Sequence, residues 1–168
     1  MATRHQNLSQ TRQGQNMSAS GLKFGIVVAD WNQQVTDKLE EGARQTLLRH
    51  HAQEQDIVIQ RVPGSIELTL GAQLMAEHLE VDAVICLGCV IQGETRHFDY
   101  VCDSVTQGIT QLNIQYKMPF IYGILTTENQ QQALDRAGGK HGNKGDEAAA
   151  AAIRMARMRE ALSAPPTH

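Results

Sequence analysis

The sequence predicts a three-layer α/β sandwich, a four-stranded parallel sheet with helices on both faces. Two observations predict it. Strand-like runs recur at residues 23–29, 57–62, 83–91 and 120–125; the apolar runs at 23–29 and 83–91 read as buried strands, the first buried on both faces. Each run is followed by a stretch with apolar residues at helical spacing. Strand and helix alternating through short connections give a parallel sheet with right-handed crossovers.

The elements follow in order. The first strand, KFGIVVA, is closed by Asp30-Trp31-Asn32. Thr36 is placed to cap a helix running to about His51, with Leu39, Ala43 and Leu47 along one face. The second strand ends at Pro63-Gly64, a turn signal. Ser65 is then placed to cap a helix reaching Leu79. The third strand, AVICLGCVI, runs into Gln92-Gly93-Glu94-Thr95-Arg96, after which Phe98, Val101, Cys102, Val105, Ile109 and Leu112 mark a long helix. Pro119 introduces the fourth strand, and Thr126 or Thr127 is placed to cap a short helix over 128–137. Residues 138–145 read as a flexible glycine-rich loop, and an alanine-rich helix closes the fold from 146 to about 162. Residues 1–21 and 163–168 read as disordered tails around one domain at 22–162.

Composition narrows the function. A formal net charge of -3 over 168 residues offers no field for nucleic acid or an anionic membrane. No apolar run approaches the roughly 18 residues of a membrane span. The first 20 residues lack a signal-peptide core, and three cysteines do not suggest a disulfide scaffold. A cytoplasmic protein is expected.

In an open parallel sheet ligands bind beyond the carboxyl ends of the strands. That rule selects four segments: 30–32, 63–67, 89–97 and 125–128. Trp31, the sole tryptophan, reads either as a lid on the core or as a face for stacking a planar ring. Glu67 suits the first turn of a helix on dipole grounds and also offers acceptors to a polyol or a ring N–H. His97 reads either as the mere start of its helix or as a candidate proton carrier, a role that suits histidine as a residue type near neutral pH. The turn before it directs backbone N–H groups and a positive helix end at one point, a place for an anion. Cys86 and Cys89 stand three apart on a strand, so they point to opposite faces and cannot share a metal. Gly142-Asn143-Lys144-Gly145 does not match a P-loop.

Taken together, the motifs resemble those of the lumazine synthases. Residues 88–101, GCVIQGETRHFDYV, resemble the family's G-x-V-I-R-G-x-T-x-H-(F/Y)-D-x-V; Val62-Pro63-Gly64-Ser65-Ile66-Glu67-Leu68 resembles its V-P-G-(S/A)-x-E-(I/L). Residues 122–138 and 142–149 are similar to two later blocks, so the likeness runs through about residues 22–160 in unbroken order. It implies a flavodoxin-like sheet. It also implies condensation of 5-amino-6-(D-ribitylamino)uracil with 3,4-dihydroxy-2-butanone 4-phosphate, the penultimate step of riboflavin biosynthesis, without metal or organic cofactor.

By resemblance, Trp31 stacks on the pyrimidine, and Ser65, Ile66 and Glu67 hold the ribityl chain. Cys89, Val90 and Ile91 line the ring pocket. Glu94 and Thr95 present N–H groups to the phosphate, Arg136 adds countercharge, His97 moves protons, and Tyr122 reaches a neighbour's pocket. The resemblance further implies pentamers with sites between subunits, in some members shells of sixty, and a functional link to riboflavin synthase. Gln92 departs from the family's arginine, Trp31 and Tyr122 from its commoner phenylalanines. A non-catalytic flavin- or pterin-binding protein would need neither His97 nor Arg136; a mainly structural shell subunit is compatible with catalysis and is distinguished by particle size.

Overall fold

The computed structural model describes residues 17–164. Strands β1 (Phe24–Ala29), β2 (Ile57–Val62), β3 (Ala83–Ile91) and β4 (Phe120–Thr127) form one sheet in the order β2-β1-β3-β4. Every pairing in it is parallel. The order is that of a flavodoxin-like sheet. Between the strands run α1 (Gln33–Arg49), α2 (Leu68–His78) and α3 (His97–Tyr116); α4 (Gln130–Asp135) and α5 (Lys144–Ser163) follow.

Side-chain alternation along the strands splits the interior into two cores. Phe24, Ile26, Val28, Ile85 and Leu87 pack with α1 and α5, while Val27, Val84 and Cys86 pack with α2 and α3. The two cysteines obey the same parity: Cys86 belongs to the second core and Cys89 to the first. Fully burying a side chain such as Leu39, Leu47 or Ile153 stabilises the fold by about 1.5–3 kcal/mol.

β2 and β3 match the expected runs, β1 begins one residue later than expected, at Phe24, and β4 continues two residues further, to Thr127. Helix starts differ. Thr36 does not cap α1; it lies buried inside the helix, which begins at Gln33 behind a left-handed Asn32 (φ 63°, ψ 43°). Ser65 is not the cap of α2 either, because Glu67 occupies that position with helical backbone angles. Asn129, rather than a threonine, caps α4, its side chain accepting from the Gln132 N–H at 2.9 Å.

The stretch expected to be a flexible loop is an antiparallel hairpin, β5 (Ala137–Gly139) and β6 (Gly142–Asn143). Gly138 (φ 97°) and Gly142 (φ 83°) supply its left-handed turns. Asn143 then caps α5 by accepting from the Gly145 N–H and ties the hairpin to α1 by donating to the Lys38 carbonyl. Of the expected tails, residues 1–16 and 165–168 lie outside the described residues. Residues 17–21 pack on the domain: the Arg157 guanidinium donates to the Ser18 and Ser20 carbonyls, and Ala19 is fully buried.

Alanine matters in α5 because α1 approaches it at backbone distance. Ala148, Ala149, Ala152 and Ala156 are buried there, and a Cβ on Gly145 would stand 2.0 Å from the Leu39 carbonyl oxygen. Gly145→Ala is expected to cost about 3 kcal/mol, the upper end of ordinary overpacking, because backbone rather than a movable side chain must yield. Gly93→Ala, whose Cβ would meet nothing within 4 Å, is expected to stay within about 0.5 kcal/mol of the parent. Urea denaturation of both variants checks the contrast, and equal stabilities would contradict this account of the α1–α5 contact.

Candidate active site

The carboxyl ends of β1, β2 and β3 enclose a cleft of about 420 Å³. Trp31 forms one wall. Gly64, Ser65, Ile66 and Glu67 form a second, and Cys89, Val90 and Ile91 the third; Gly93, Thr95, His97, Phe98 and Val101 close the far side.

Each wall has a local cause. The turn after β1 follows β2, with the Asp30 N–H donating to the Val62 carbonyl and the Trp31 N–H to that of Pro63. On its other flank the Asn32 carboxamide donates to the Cys89 carbonyl at 2.8 Å. Arg61 braces the turn from outside, with guanidinium nitrogens 2.9 Å from Asp30, 2.7 Å from Asp37 and 3.3 Å from Glu40. Burial pushes the Glu40 carboxyl above its usual range, and the Arg61 charge opposes that shift. Trp31 itself is 72 % exposed. Its position is therefore set by the turn and not by packing around the indole.

The second wall approaches closely because β3 carries Gly88. A Cβ there would stand 2.8 Å from the Ser65 hydroxyl and 2.9 Å from Leu68. Ser65 is accordingly buried, while Ile66 and Glu67 face outward. After β3 the Gln92 N–H donates to the Thr127 carbonyl, and the Gln92 carboxamide donates to the Gly93 carbonyl. Thr95 accepts the His97 N–H through its hydroxyl at 3.4 Å. The 20-residue α3 begins at His97, so its positive end stands at the rim of the cleft, with the Asp99 N–H taken by the Arg96 carbonyl.

Three of the four expected segments thus converge, and the fourth does not. After β4 the chain turns to the α1/α5 side, where Ala133 and Ala137 join that core. Arg136 travels with it, 2.6 Å from Glu147 and donating to the His141 carbonyl. Tyr122 packs on the α2/α3 side but on the edge strand, level with Cys86 and next to the Thr106 hydroxyl. Neither lines the cleft of its own chain. Glu94 is exposed beside the cleft, outside its lining.

Sequence reasoning missed Asn32, Arg61 and Gly88 as builders of the site. A glycine inside an apolar run was the available signal for the third; the first two act through neighbours distant in sequence. Among the described residues no three His, Cys, Asp or Glu side chains group as metal ligands. What remains is an open slot with an indole, a carboxylate, an imidazole and a helix N-terminus. Such a set can orient a planar polar ring beside an anion and pass protons between them.

A family model described as 6,7-dimethyl-8-ribityllumazine synthase matches residues 21–160. Curated relatives carry the same description. The protein of Parabacteroides distasonis is 58 % identical over 155 residues, 92 % of this chain and 97 % of its own. That of Cytophaga hutchinsonii is 54 % identical over the same shares, and that of Porphyromonas gingivalis is 52 % identical over 94 % and 98 %.

The buried thiols give a direct check on the interior of the cleft. Burial pushes the Cys86 and Cys89 thiols up to about 12, so both stay protonated and poor nucleophiles at neutral pH. In native protein at pH 8 a thiol reagent is expected to spare Cys86 and Cys89 and to reach at most the half-buried Cys102; in denaturant all three should react. Rapid labelling of Cys89 in the native protein, located by peptide mass, would contradict the closed β3 wall.

Proposed function

The chain belongs to the 6,7-dimethyl-8-ribityllumazine synthase family and condenses 5-amino-6-(D-ribitylamino)uracil with 3,4-dihydroxy-2-butanone 4-phosphate, and we propose that this happens in the cleft above β1, β2 and β3. One observation carries the placement. Trp31, Glu67, His97 and the start of α3, distant in sequence, line or border a single slot.

In this reading the pyrimidine stacks on Trp31 against Cys89, Val90 and Ile91. Ser65, Ile66 and Glu67 hold the ribityl chain, with the exposed Glu67 carboxylate accepting from its hydroxyls. The phosphate rests on the N–H groups around Glu94 and Thr95. The amine adds to the ketone, loss of water gives an imine, phosphate leaves, and ring closure expels water. Each step relocates a proton, and His97 is positioned to carry it. Holding both reactants in one orientation supplies much of the acceleration. Neither Ser65 nor Cys89 acts as a nucleophile, which agrees with their burial.

Arg136 and Tyr122 fit the same reaction only from another copy, because each lies away from the cleft of its own chain. A pentamer with sites between subunits accommodates this. The outward apolar side chains of Ile66, Leu70 and Leu74 support such contacts. Larger shells, a cytoplasmic location and delivery of the product to riboflavin synthase complete the reading.

Purified protein given both substrates is expected to produce lumazine fluorescence and phosphate in step; no product above the uncatalysed rate would overturn the assignment. His97→Ala should lower kcat about 100-fold with little change in affinity for the pyrimidine. Equal losses in both would make His97 a binding residue instead. Arg136→Ala should mainly raise KM for the phosphorylated substrate. Co-assembled with His97→Ala subunits, it should regain activity, since random mixing leaves about a quarter of the clefts with both residues intact. No recovery above the sum of the two separate variants would place Arg136 and His97 in one chain's site.

A further inference from the structure

We propose that Asn32 is a positioning residue whose carboxamide sets the separation of the Trp31 and β3 walls, and so the fit of a planar ring between them. The inference deepens the assignment of the cleft as the ring site and rests on it.

β1 lies between β2 and β3, and the two ladders end differently. With β2 the register runs to Ala29 opposite Val62 and is prolonged by backbone bonds from Asp30 and Trp31. With β3 it stops at Val28 opposite Leu87. The turn thus leaves the sheet along β2, which on its own would let it diverge from β3. Asn32 bridges that divergence, its Nδ2 donating to the Cys89 carbonyl at 2.8 Å.

An asparagine before a helix ordinarily turns its side chain back onto the first N–H groups. This one makes no such bond. It adopts left-handed backbone angles, tolerable for asparagine, and directs the carboxamide across the sheet instead. The bond joins the residue after Trp31 to the residue before Val90, one contact from each side of the slot. The turn is held by backbone on one flank and by this side chain on the other, and the 72 % exposure of Trp31 means that little else within its own chain touches the indole.

The sole tryptophan makes the proposal measurable without substrate. Asn32→Gly keeps access to the left-handed backbone and removes only the tether; Asn32→Asp keeps the shape and sets an acceptor against an acceptor. Both are expected to lower Trp31 fluorescence anisotropy and to raise KM for the pyrimidine about tenfold. KM for the phosphorylated substrate and the melting temperature should stay near parent values. Losses spread equally over both substrates, or parent-like anisotropy in Asn32→Gly, would overturn it. Trp31→Ala separates the two levels of the claim. Unchanged pyrimidine affinity in both Trp31→Ala and Asn32→Gly overturns the ring-site assignment; unchanged affinity in Asn32→Gly alone overturns the role of Asn32.

Discussion

The parallel register of β1 between β2 and β3 is the constraint on which the rest of the molecule depends. It sends three strand ends to one edge of the sheet, and their following turns have to share that edge. A parallel sheet needs helices on both faces, and here the two faces do different work. The α2/α3 side brings two helix starts, at Glu67 and His97, to the edge of the sheet. The α1/α5 side is a close-packed alanine and glycine contact, stiff because backbone meets backbone at Gly145. In the proposed reading one face supplies chemistry and the other a rigid base for it.

Rigidity matters because nothing in the cleft is intrinsically reactive. The thiol at Cys89 is protonated and enclosed, and the Ser65 hydroxyl is pressed between Gly88 and its own turn. Catalysis with such groups consists of placing two reactants and moving protons between them, which tolerates little looseness. The turn that carries Trp31 accordingly has three independent restraints: backbone bonds to β2, the Asn32 bond to β3, and the Arg61 brace to Asp30, Asp37 and Glu40.

Most of this fold was legible from period alone. Residues 83–91 form a strand with the bounds that their apolar run suggests, because burial of that central strand on both faces leaves little alternative pattern; residues 57–62 keep their expected bounds as an edge strand, with Gln60 and Arg61 exposed. Helix starts were less legible. Thr36 and Ser65 are good caps by type, yet Asn32 and Glu67 hold those positions, because strand ends and tertiary bonds decide where the chain can turn. The hairpin at 137–143 was hidden for a related reason: its glycines read as freedom locally, but Asn143 fastens it to α1 and α5. For the cleft, the convergence of Trp31, Glu67 and His97 on one lining was recoverable from topology and motif. Their supports were not, since Asn32 meets Cys89 and Arg61 meets Glu40 only in three dimensions.

Charge supports the proposal that a second copy completes the site. The chain is net negative, and the lining of the cleft contains Glu67 but neither lysine nor arginine. Gln92 contributes a neutral carboxamide that is already turned onto Gly93. For a phosphate monoester the cleft itself therefore offers the start of α3, whose interaction with an anion contributes on the order of 1 kcal/mol near the surface. That is weak recognition for a doubly charged group. Arg136, meanwhile, is held on the other side of the sheet by Glu147, with Lys144 3.5 Å from the second oxygen of the same carboxylate. Two cations around one carboxylate leave a net positive charge that is fixed in place rather than carried on a mobile side chain. A second copy presenting this group to the first copy's cleft would supply the charge that the cleft lacks, already oriented, and would link phosphate recognition to assembly.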